Sequence, residues 1–341
     1  MNPARAQHPD QALFDPDEVA VATLPVCDHY AGVELRMRKS LQLQAELGPV
    51  FDVTLDNEDG APVGGELEQA QLIGELLASA DNRHGRVGVR LLPVVHPRFE
   101  DVLHTVLRGA RAGLHAPAYL MCPKPRGVVD MQRAITSIDA ALAATGTAPV
   151  PVHALIETHG ALRDVWAIAA QPRIESLSFG LMDFVSAHRG AIPASPMGAA
   201  GQFDHPLVVR AKLEIAAACH AHGKVPSHCV VTEFKDTEAL RAAVGMASGL
   251  LGYTRMWSIH PAQVRIIVDA FAPAAADVAQ AVQIIGAAQA AGWAPIRDGD
   301  TLHDRASYRY YWQLLQRAHG TSFTGGPQMP DAARAAWFAP A

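Results

Sequence analysis

The amino-acid sequence predicts an α/β fold, a (β/α)8 TIM barrel with additional C-terminal helices, on three observations. Short apolar runs typical of strands alternate with longer stretches whose apolar residues recur at helical spacing. The alternation repeats at intervals of roughly thirty residues, which fits a closed barrel better than an open doubly wound sheet. Charged residues stand where several runs end, and in this fold the carboxyl ends of the strands form the rim that carries active sites.

The candidate strands are eight short runs. In chain order they cover residues 19–24, 51–55, 87–91, 118–121, 152–156, 174–179, 224–225 and 252–257. The seventh is weak because it is short and because Pro226, which follows it, cannot donate a hydrogen bond to a strand ladder.

Helices are predicted where apolar side chains line one face. Residues 67–77 and 99–110 show this spacing most clearly. Pro261 suits the first position of a helix that continues to residue 271. An Ala-rich helix follows, and another is predicted over about 305–319.

These elements divide the chain into four parts. We expect a flexible N-terminal lead over residues 1–18, the barrel over 19–272, a helical extension over 273–319 and a tail over 320–341. Helices beyond the eighth barrel unit must pack somewhere, and a subunit interface would serve, so we expect a homo-oligomer.

Composition excludes several classes of function. The 341-residue chain has a net charge of −6 and a pI near 6.2, which argue against a nucleic-acid or anionic-membrane partner. Its four cysteines are scattered without C-x-x-C spacing and indicate reduced thiols. The N-terminus lacks the apolar core of a signal peptide, and no apolar run approaches the roughly 18 residues of a membrane helix. We therefore expect a soluble, cytoplasmic protein.

The main indication of function is a pair of acids at the ends of two successive predicted strands. Glu157 follows the strand over 152–156, and Asp183 closely follows the strand over 174–179. Two carboxylates on the barrel rim form a hard-oxygen site of the kind that Mg²⁺ favours, with positions left for a substrate. The alternative is that each acid only stabilises the start of the following helix.

Charged residues after three other strands indicate a substrate site around this metal. Glu58 and Asp59 lie in an acid-rich segment after the second strand, for which a solvated turn is the alternative. Arg90, near the end of the third, could bind a substrate carboxylate, form an ion pair with Glu58 or Asp59, or do both. Lys124, between two prolines after the fourth, is a substrate ligand or a solvated loop cation.

Together these motifs resemble those of the citrate lyase beta-chain family, which includes malyl-CoA and citramalyl-CoA lyases. The resemblance runs in the same order from about residue 21 to residue 271. Its matching segments are LDNEDGA at 55–61 (family L-D-L-E-D-A-V), VRLLP at 89–93 (V-R-V-N-P), PK at 123–124 (P-K), IET at 156–158 (I-E-T), FGLMD at 179–183 (F-G-x-x-D) and IHPAQV at 259–264 (I-H-P-A-Q-V).

The resemblance implies a (β/α)8 barrel that is usually oligomeric, a trimer or a hexamer, and that binds a 2-oxo acid and an acyl-CoA. It implies that Glu157 and Asp183 hold Mg²⁺ and that Arg90 is a catalytic residue. Substrate binding would involve Arg90, Lys124, Glu58 and Asp59. In the family an aspartate from the C-terminal part of a neighbouring subunit can complete the site, and Asp304 is the candidate for this catalytic acid.

The sequence departs from the family pattern at several polar positions. The arginine expected ahead of the first strand is missing from residues 20–23, where Ala-Val-Ala-Thr stands. Leu92, Met182 and Met256 replace an asparagine, a glutamate and a lysine. Because the metal ligands are retained, these changes question the acyl-CoA substrate more than the metal chemistry.

Three functions remain open. The first is a Mg²⁺-dependent lyase that cleaves a 3-hydroxyacyl-CoA dicarboxylate to an acyl-CoA and a 2-oxo acid, or the reverse condensation. The second is an aldolase that cleaves a 4-hydroxy-2-oxo acid to pyruvate and an aldehyde without CoA. The third is a catalytically silent barrel with a binding role.

Overall fold

The structure is a computed structural model that describes residues 7–15, 23–321 and 329–338. Its contacts divide the chain into two compact units. The larger covers Val21–Val268, and the smaller combines Met1–Ala20 with Asp269–Ala341.

The larger unit is a closed barrel of eight parallel strands, in which each strand pairs with the next and the last pairs with the first. The predicted (β/α)8 barrel is therefore confirmed. Its strands are β1 Cys27–Ala31, β2 Phe51–Asp56, β3 Val87–Arg90, β4 Leu120–Cys122, β5 Val152–Ile156, β6 Ile174–Phe179, β7 Val225–His228 and β8 Arg255–Ser258.

The helices follow the strands in the alternation that the sequence predicts. In chain order the described helices are α1 Pro9–Leu13, α2 Glu34–Leu47, α3 Glu66–Ala78, α4 Phe99–Ala110, α5 Val128–Thr145, α6 His159–Arg163, α7 Val165–Ala169, α8 Leu181–Ser186, α9 Pro206–Ala221, α10 Thr237–Gly249, α11 Pro261–Phe271, α12 Ala275–Ala290, α13 Arg305–Thr321 and α14 Asp331–Phe338.

The prediction of the first strand over residues 19–24 was wrong. Residues 19–22 lie outside the described part of the chain, residues 23–24 are not in a strand, and β1 begins at Cys27. Its sequence looks too polar for a buried strand, yet all five residues are buried, and the side chains of Asp28 and His29 have hydrogen-bond partners. Thr54 donates a hydrogen bond to Asp28 at 2.6 Å, and the His29 ring bonds the Ser258 hydroxyl at 2.8 Å.

The weak seventh strand exists and runs through Pro226. Pro226 has no N–H to donate, but its carbonyl accepts a hydrogen bond from the Thr254 backbone N–H at 3.3 Å. Strands β4, β7 and β8 begin one to three residues later than the predicted runs over 118–121, 224–225 and 252–257.

The smaller unit contains α1, α12, α13 and α14 and an antiparallel pair of strands, β9 Ile296–Asp298 and β10 Thr301–His303. Leu13, from the segment expected to be a flexible lead, is fully buried in a core with Ile284 and Trp312. The tail likewise differs from expectation, since it contains α14.

Among the described helices, none is by itself long and apolar enough to cross a membrane, although α11 and α12 taken together pass that test by length and composition.

Candidate active site

Glu157 and Asp183 follow neighbouring barrel strands, as the sequence predicts, but in different settings. Glu157 comes directly after β5 and is 2% exposed, and the Lys124 backbone N–H donates to its Oε1 at 2.8 Å. Asp183 lies in the first turn of α8, and its side chain is 41% exposed. Burial, and then the negative charge of Asp183, raise the pKa of Glu157 well above its usual value. A buried carboxylate thus stands beside a second, more accessible one.

Helix capping does not explain the position of Glu157. The next helix, α6, is capped by Thr158, whose hydroxyl accepts a hydrogen bond from the Ala161 N–H at 3.0 Å. For Asp183 the alternative holds, because an acid in the first turn of α8 interacts favourably with the helix N-terminus.

The surroundings of Glu157 fit a divalent cation. Gly180 lies so close to Glu157 that a Cβ there would be 2.2 Å from Glu157 Oε2. A residue with a side chain at position 180 would therefore displace this carboxylate. Within residues 7–15, 23–321 and 329–338 there is no group of three or more His, Cys, Asp or Glu side chains arranged to hold a metal ion. Two carboxylates alone suit Mg²⁺, which keeps several coordination positions for water and substrate.

Lys124 links the acids that follow β2 to Asp183. Its Nζ lies 2.6 Å from Glu58 Oε1, 2.7 Å from Asp59 Oδ2 and 3.6 Å from Asp183 Oδ1. Its backbone is left-handed, with φ of 49°, which is uncommon for a residue with a side chain. Burial by itself would lower the pKa of Lys124, but its hydrogen bonds to Asp59 and Glu58 raise it. Lys124 is therefore a permanent cation between the two groups of acids.

The acid-rich segment after β2 is a turn that is exposed at Asp59 and Gly60 but not at Glu58. The Glu58 side chain is 6% exposed and that of Asp59 is 54% exposed. Burial raises the pKa of Glu58 against the opposing charges of Arg90 and Lys124. Burial would raise the pKa of Asp59 as well, but the contacts with Lys124 outweigh it and lower that pKa.

Arg90 is held by Asp56, a residue that the sequence analysis did not single out. The Arg90 Nε donates to Asp56 Oδ1 at 2.7 Å and Nη2 donates to Oδ2, while Nη1 lies 3.1 Å from Glu58 Oε2. Burial would lower the pKa of Arg90, but Asp56 overrides it and raises the pKa. Asp56 could have been found from the strand alignment. It is the last residue of β2 and lies opposite Arg90, the last residue of β3.

Arg90 lies against a pair of aromatic rings. The Arg90 guanidinium carbon lies 5.5 Å from the centre of the Tyr30 ring, which stacks on Trp257 at 4.3 Å. Met182, at the position where the resemblance expects a glutamate, packs against the same cluster. Leu92, in place of an asparagine, is also buried.

A cavity of about 420 Å³ opens beside the two acids. It is lined by Pro93, Val95, Lys124, Arg126, Glu157, Thr158, Asp183, Ser186 and Ala187.

The structure brings together six of the seven predicted site residues. Arg90, Glu58, Asp59, Lys124, Asp183 and Glu157 form one connected set of contacts. Asp304 belongs to the smaller unit, where it accepts hydrogen bonds from the Ala306 and Ser307 N–H groups at 3.0 and 3.4 Å and begins α13.

Comparison with known proteins shows which sequences and structures the chain is similar to. Residues 51–261 match the family described as HpcH/HpaI aldolase/citrate lyase. An L-malyl-CoA/beta-methylmalyl-CoA lyase from Cereibacter sphaeroides is 30% identical over 186 residues, which are 50% of this chain and 57% of that protein. The chain therefore spans little more than half the length of this curated relative.

Two crystal structures are similar over most of the chain. A citrate lyase from Burkholderia xenovorans LB400 is 53% identical, covers 98% of this chain and 100% of its own, and has a TM-score of 0.83. The protein CitE from Mycobacterium tuberculosis, in complex with magnesium, acetoacetate and coenzyme A, is 20% identical. It covers 87% of this chain and 99% of its own, with a TM-score of 0.67, which shows a common fold.

Proposed function

This chain belongs to the HpcH/HpaI aldolase/citrate lyase family, and from that premise we propose that it is a Mg²⁺-dependent carbon–carbon lyase. Its substrate would be a 3-hydroxyacyl-CoA dicarboxylate of the malyl-CoA or citramalyl-CoA type, cleaved to an acyl-CoA and a 2-oxo acid, or formed in the reverse condensation. The observation that carries the proposal is the buried Glu157 carboxylate beside Asp183, with Arg90 held nearby. The names of the malyl-CoA lyase relative and of the CitE complex support it.

Each site residue has a definite task in this proposal. Glu157 and Asp183 would hold Mg²⁺, which when bound supplies a Lewis acid for the oxygens of the 2-oxo acid. Arg90 has five N–H groups, of which three are engaged by Asp56 and Glu58. The remaining two can donate to oxygens that become negative during cleavage, and one preorganised donor of this kind is typically worth about 3–4 kcal/mol.

The reaction also needs proton transfer. Loss of the substrate's hydroxyl proton breaks the carbon–carbon bond and leaves the enolate of the acyl thioester, whose carbon must then be protonated. We propose Asp304 of a neighbouring subunit for that step, in a cytoplasmic homo-oligomer.

A second candidate is a pyruvate-forming 4-hydroxy-2-oxo acid aldolase that uses no CoA. It is favoured by Met182, which is partly buried, and by Leu92, which is buried, because both put apolar side chains where the resemblance expects polar ones. The metal-binding and oxo-acid half of the site would be the same in both reactions.

A thermal-shift titration with pyruvate, glyoxylate, acetyl-CoA and propionyl-CoA, each with and without Mg²⁺, separates the candidates. We expect Mg²⁺-dependent stabilisation by an oxo acid and further stabilisation by a CoA ester. Stabilisation by an oxo acid with no response to either CoA ester would favour the aldolase. If neither Mg²⁺ nor any oxo acid shifts the melting temperature, the barrel is catalytically silent and the proposal fails.

A further inference from the structure

Arg126 lines the cavity beside Glu157 and Asp183, the two acids proposed to hold Mg²⁺ and called the metal pair below. It takes no part in the contacts of Arg90 and Lys124. It lies on the loop between β4 and α5, two residues after Lys124. Apart from Arg126, the charged residues of the cavity lining are Glu157, Asp183 and Lys124. The rest of the lining is short and neutral and consists of Pro93, Val95, Thr158, Ser186 and Ala187.

The Arg126 guanidinium is fixed in orientation by Asp130. Its Nε donates to Asp130 Oδ2 at 2.7 Å and its Nη2 donates to Oδ1 at 3.0 Å, while the Arg126 backbone N–H donates to Oδ2 at 3.0 Å. This bidentate pair uses one edge of the guanidinium. Among the described residues nothing accepts a hydrogen bond from Nη1, and the side chain is 67% exposed. The second edge is therefore available to a ligand in the cavity.

The loop that carries Arg126 is attached to the loop that carries Glu157. Thr158, next to Glu157, donates its hydroxyl hydrogen to the Pro125 carbonyl, and the Val128 N–H donates to Asp164 Oδ2 at 3.0 Å. Gly160 packs so tightly that a Cβ there would lie 1.9 Å from the Arg126 carbonyl oxygen. These contacts attach the backbone at Arg126 to the segment that follows Glu157.

The charges in the cavity indicate what Arg126 could bind. A 2-oxo acid bound at Glu157 and Asp183 would point its far end into a cavity whose other cation, Lys124, is already engaged by Glu58 and Asp59. A methyl group at that end would meet neutral walls, whereas a second carboxylate would lose water on entering the cavity and would need a cation to replace those contacts. A guanidinium with a free edge recognises a carboxylate well, because its N–H groups match the two oxygens.

We propose that Arg126 binds the distal carboxylate of the 2-oxo acid and so makes the site selective for 2-oxo dicarboxylates over 2-oxo monocarboxylates. This inference rests on the proposed function, because it assumes that an oxo acid binds at the metal pair. The thioester substrate would then carry two free carboxylates, one at the metal and one at Arg126, in place of the single free carboxylate of the malyl-CoA or citramalyl-CoA type.

Calorimetric titration of the Mg²⁺-loaded protein tests the inference without any CoA ester. The ligands are pairs of equal chain length, oxaloacetate with 2-oxobutyrate and 2-oxoglutarate with 2-oxopentanoate. We expect the wild type to bind the dicarboxylate of at least one pair about tenfold more tightly or better, as for a charge-assisted hydrogen bond. Arg126→Gln should remove this preference and leave the monocarboxylate affinity unchanged, and Arg126→Lys should keep only part of it.

Two further variants complete the design. Arg210→Gln is the matched control, because Arg210 is also an exposed arginine paired with a carboxylate four residues along the chain, Glu214, but does not line the cavity. It should keep the full preference. Asp130→Asn, which frees the Arg126 guanidinium, should reduce the preference without abolishing it.

The possible failures are distinguishable. Equal binding of both members of each pair by the wild type, or an unchanged preference in Arg126→Gln, would overturn the role of Arg126 and leave the proposed function standing. Absence of Mg²⁺-dependent binding for every oxo acid would overturn both.

Discussion

Replacing Asp56 by asparagine tests how Arg90 is held in the site. The two side chains are 3% and 8% exposed, so the pair is almost fully desolvated. Asp56 also accepts hydrogen bonds from the Glu58 and Gly60 N–H groups at 2.9 and 2.8 Å. An asparagine of the same shape would offer one acceptor oxygen and would turn an N–H group toward the remaining donors. The substitution therefore leaves a buried guanidinium without its main counter-charge.

The expected loss of stability in Asp56→Asn depends on the contacts that Arg90 keeps. Removing one partner of a buried ion pair typically costs about 3–5 kcal/mol, and Glu58 still lies 3.1 Å from Arg90 Nη1. We therefore expect the lower end, about 3 kcal/mol, or roughly a 150-fold change in the unfolding equilibrium. The barrel unit spans residues 21–268. For a unit of that size the unfolding entropy is about 0.5 kcal/mol per kelvin, so the melting temperature should fall by about 6 °C.

Thermal denaturation of the wild type, Asp56→Asn and a surface control measures this effect. The control is Glu34→Gln, which breaks the exposed pair between Glu34 and Arg38, whose side chains are 55% and 46% exposed. It should cost less than about 0.5 kcal/mol. In an activity assay, Asp56→Asn should also raise the KM for the oxo acid, because Arg90 loses its orientation. If both variants melt within one degree of the wild type, Arg90 is not held by a desolvated ion pair and the reasoning is refuted.

Three other predictions concern the metal pair. Asp183→Asn should lose Mg²⁺ binding without unfolding the chain, because the side chain is partly exposed; calorimetry that finds unchanged affinity would show that the site is misplaced. The raised pKa of Glu157 means that, without metal, its contribution to stability is complete below its ordinary pKa of 4.5 and is lost as pH rises through the folded-state value. Urea denaturation between pH 5 and 8 should therefore show a wild-type loss of stability that is smaller in Glu157→Gln and in the presence of Mg²⁺; parallel curves for all samples would contradict this. Gly180→Ala should weaken Mg²⁺ binding by displacing Glu157, whereas Gly245→Ala, where a Cβ meets nothing within 4 Å, should bind Mg²⁺ normally; equal affinity in both variants would exclude the steric argument.

The barrel rim could be predicted because position along the chain and position in the fold are linked in this architecture. Five charged residues lie at the end of five different strands or shortly after it, and parallel strands have their carboxyl ends at one rim. They are Glu58, Arg90, Lys124, Glu157 and Asp183. Their proximity therefore needed only the correct order of strands, not their exact bounds.

The first strand could not be predicted in the same way. Apolar content identifies a strand only when its buried residues are apolar, and β1 buries Asp28 and His29. These side chains are stabilised by partners far along the chain, among them Ser258 and Arg255, which lies 3.3 Å from Asp28. The sequence pattern around β1 gives no indication of these partners.

The sequence by itself determined the alternation of strands and helices, the resulting barrel and the set of charged residues at its rim. Only the tertiary structure decided which charges are paired, because pairing depends on distances across strands and on burial. In the structure Asp56 pairs with Arg90, and Lys124 lies between Glu58 and Asp183. One edge of the Arg126 guanidinium is free in the cavity. The residue types limit the chemistry that is available. Burial in the folded barrel then sets the pKa of groups such as Glu157 and Glu58.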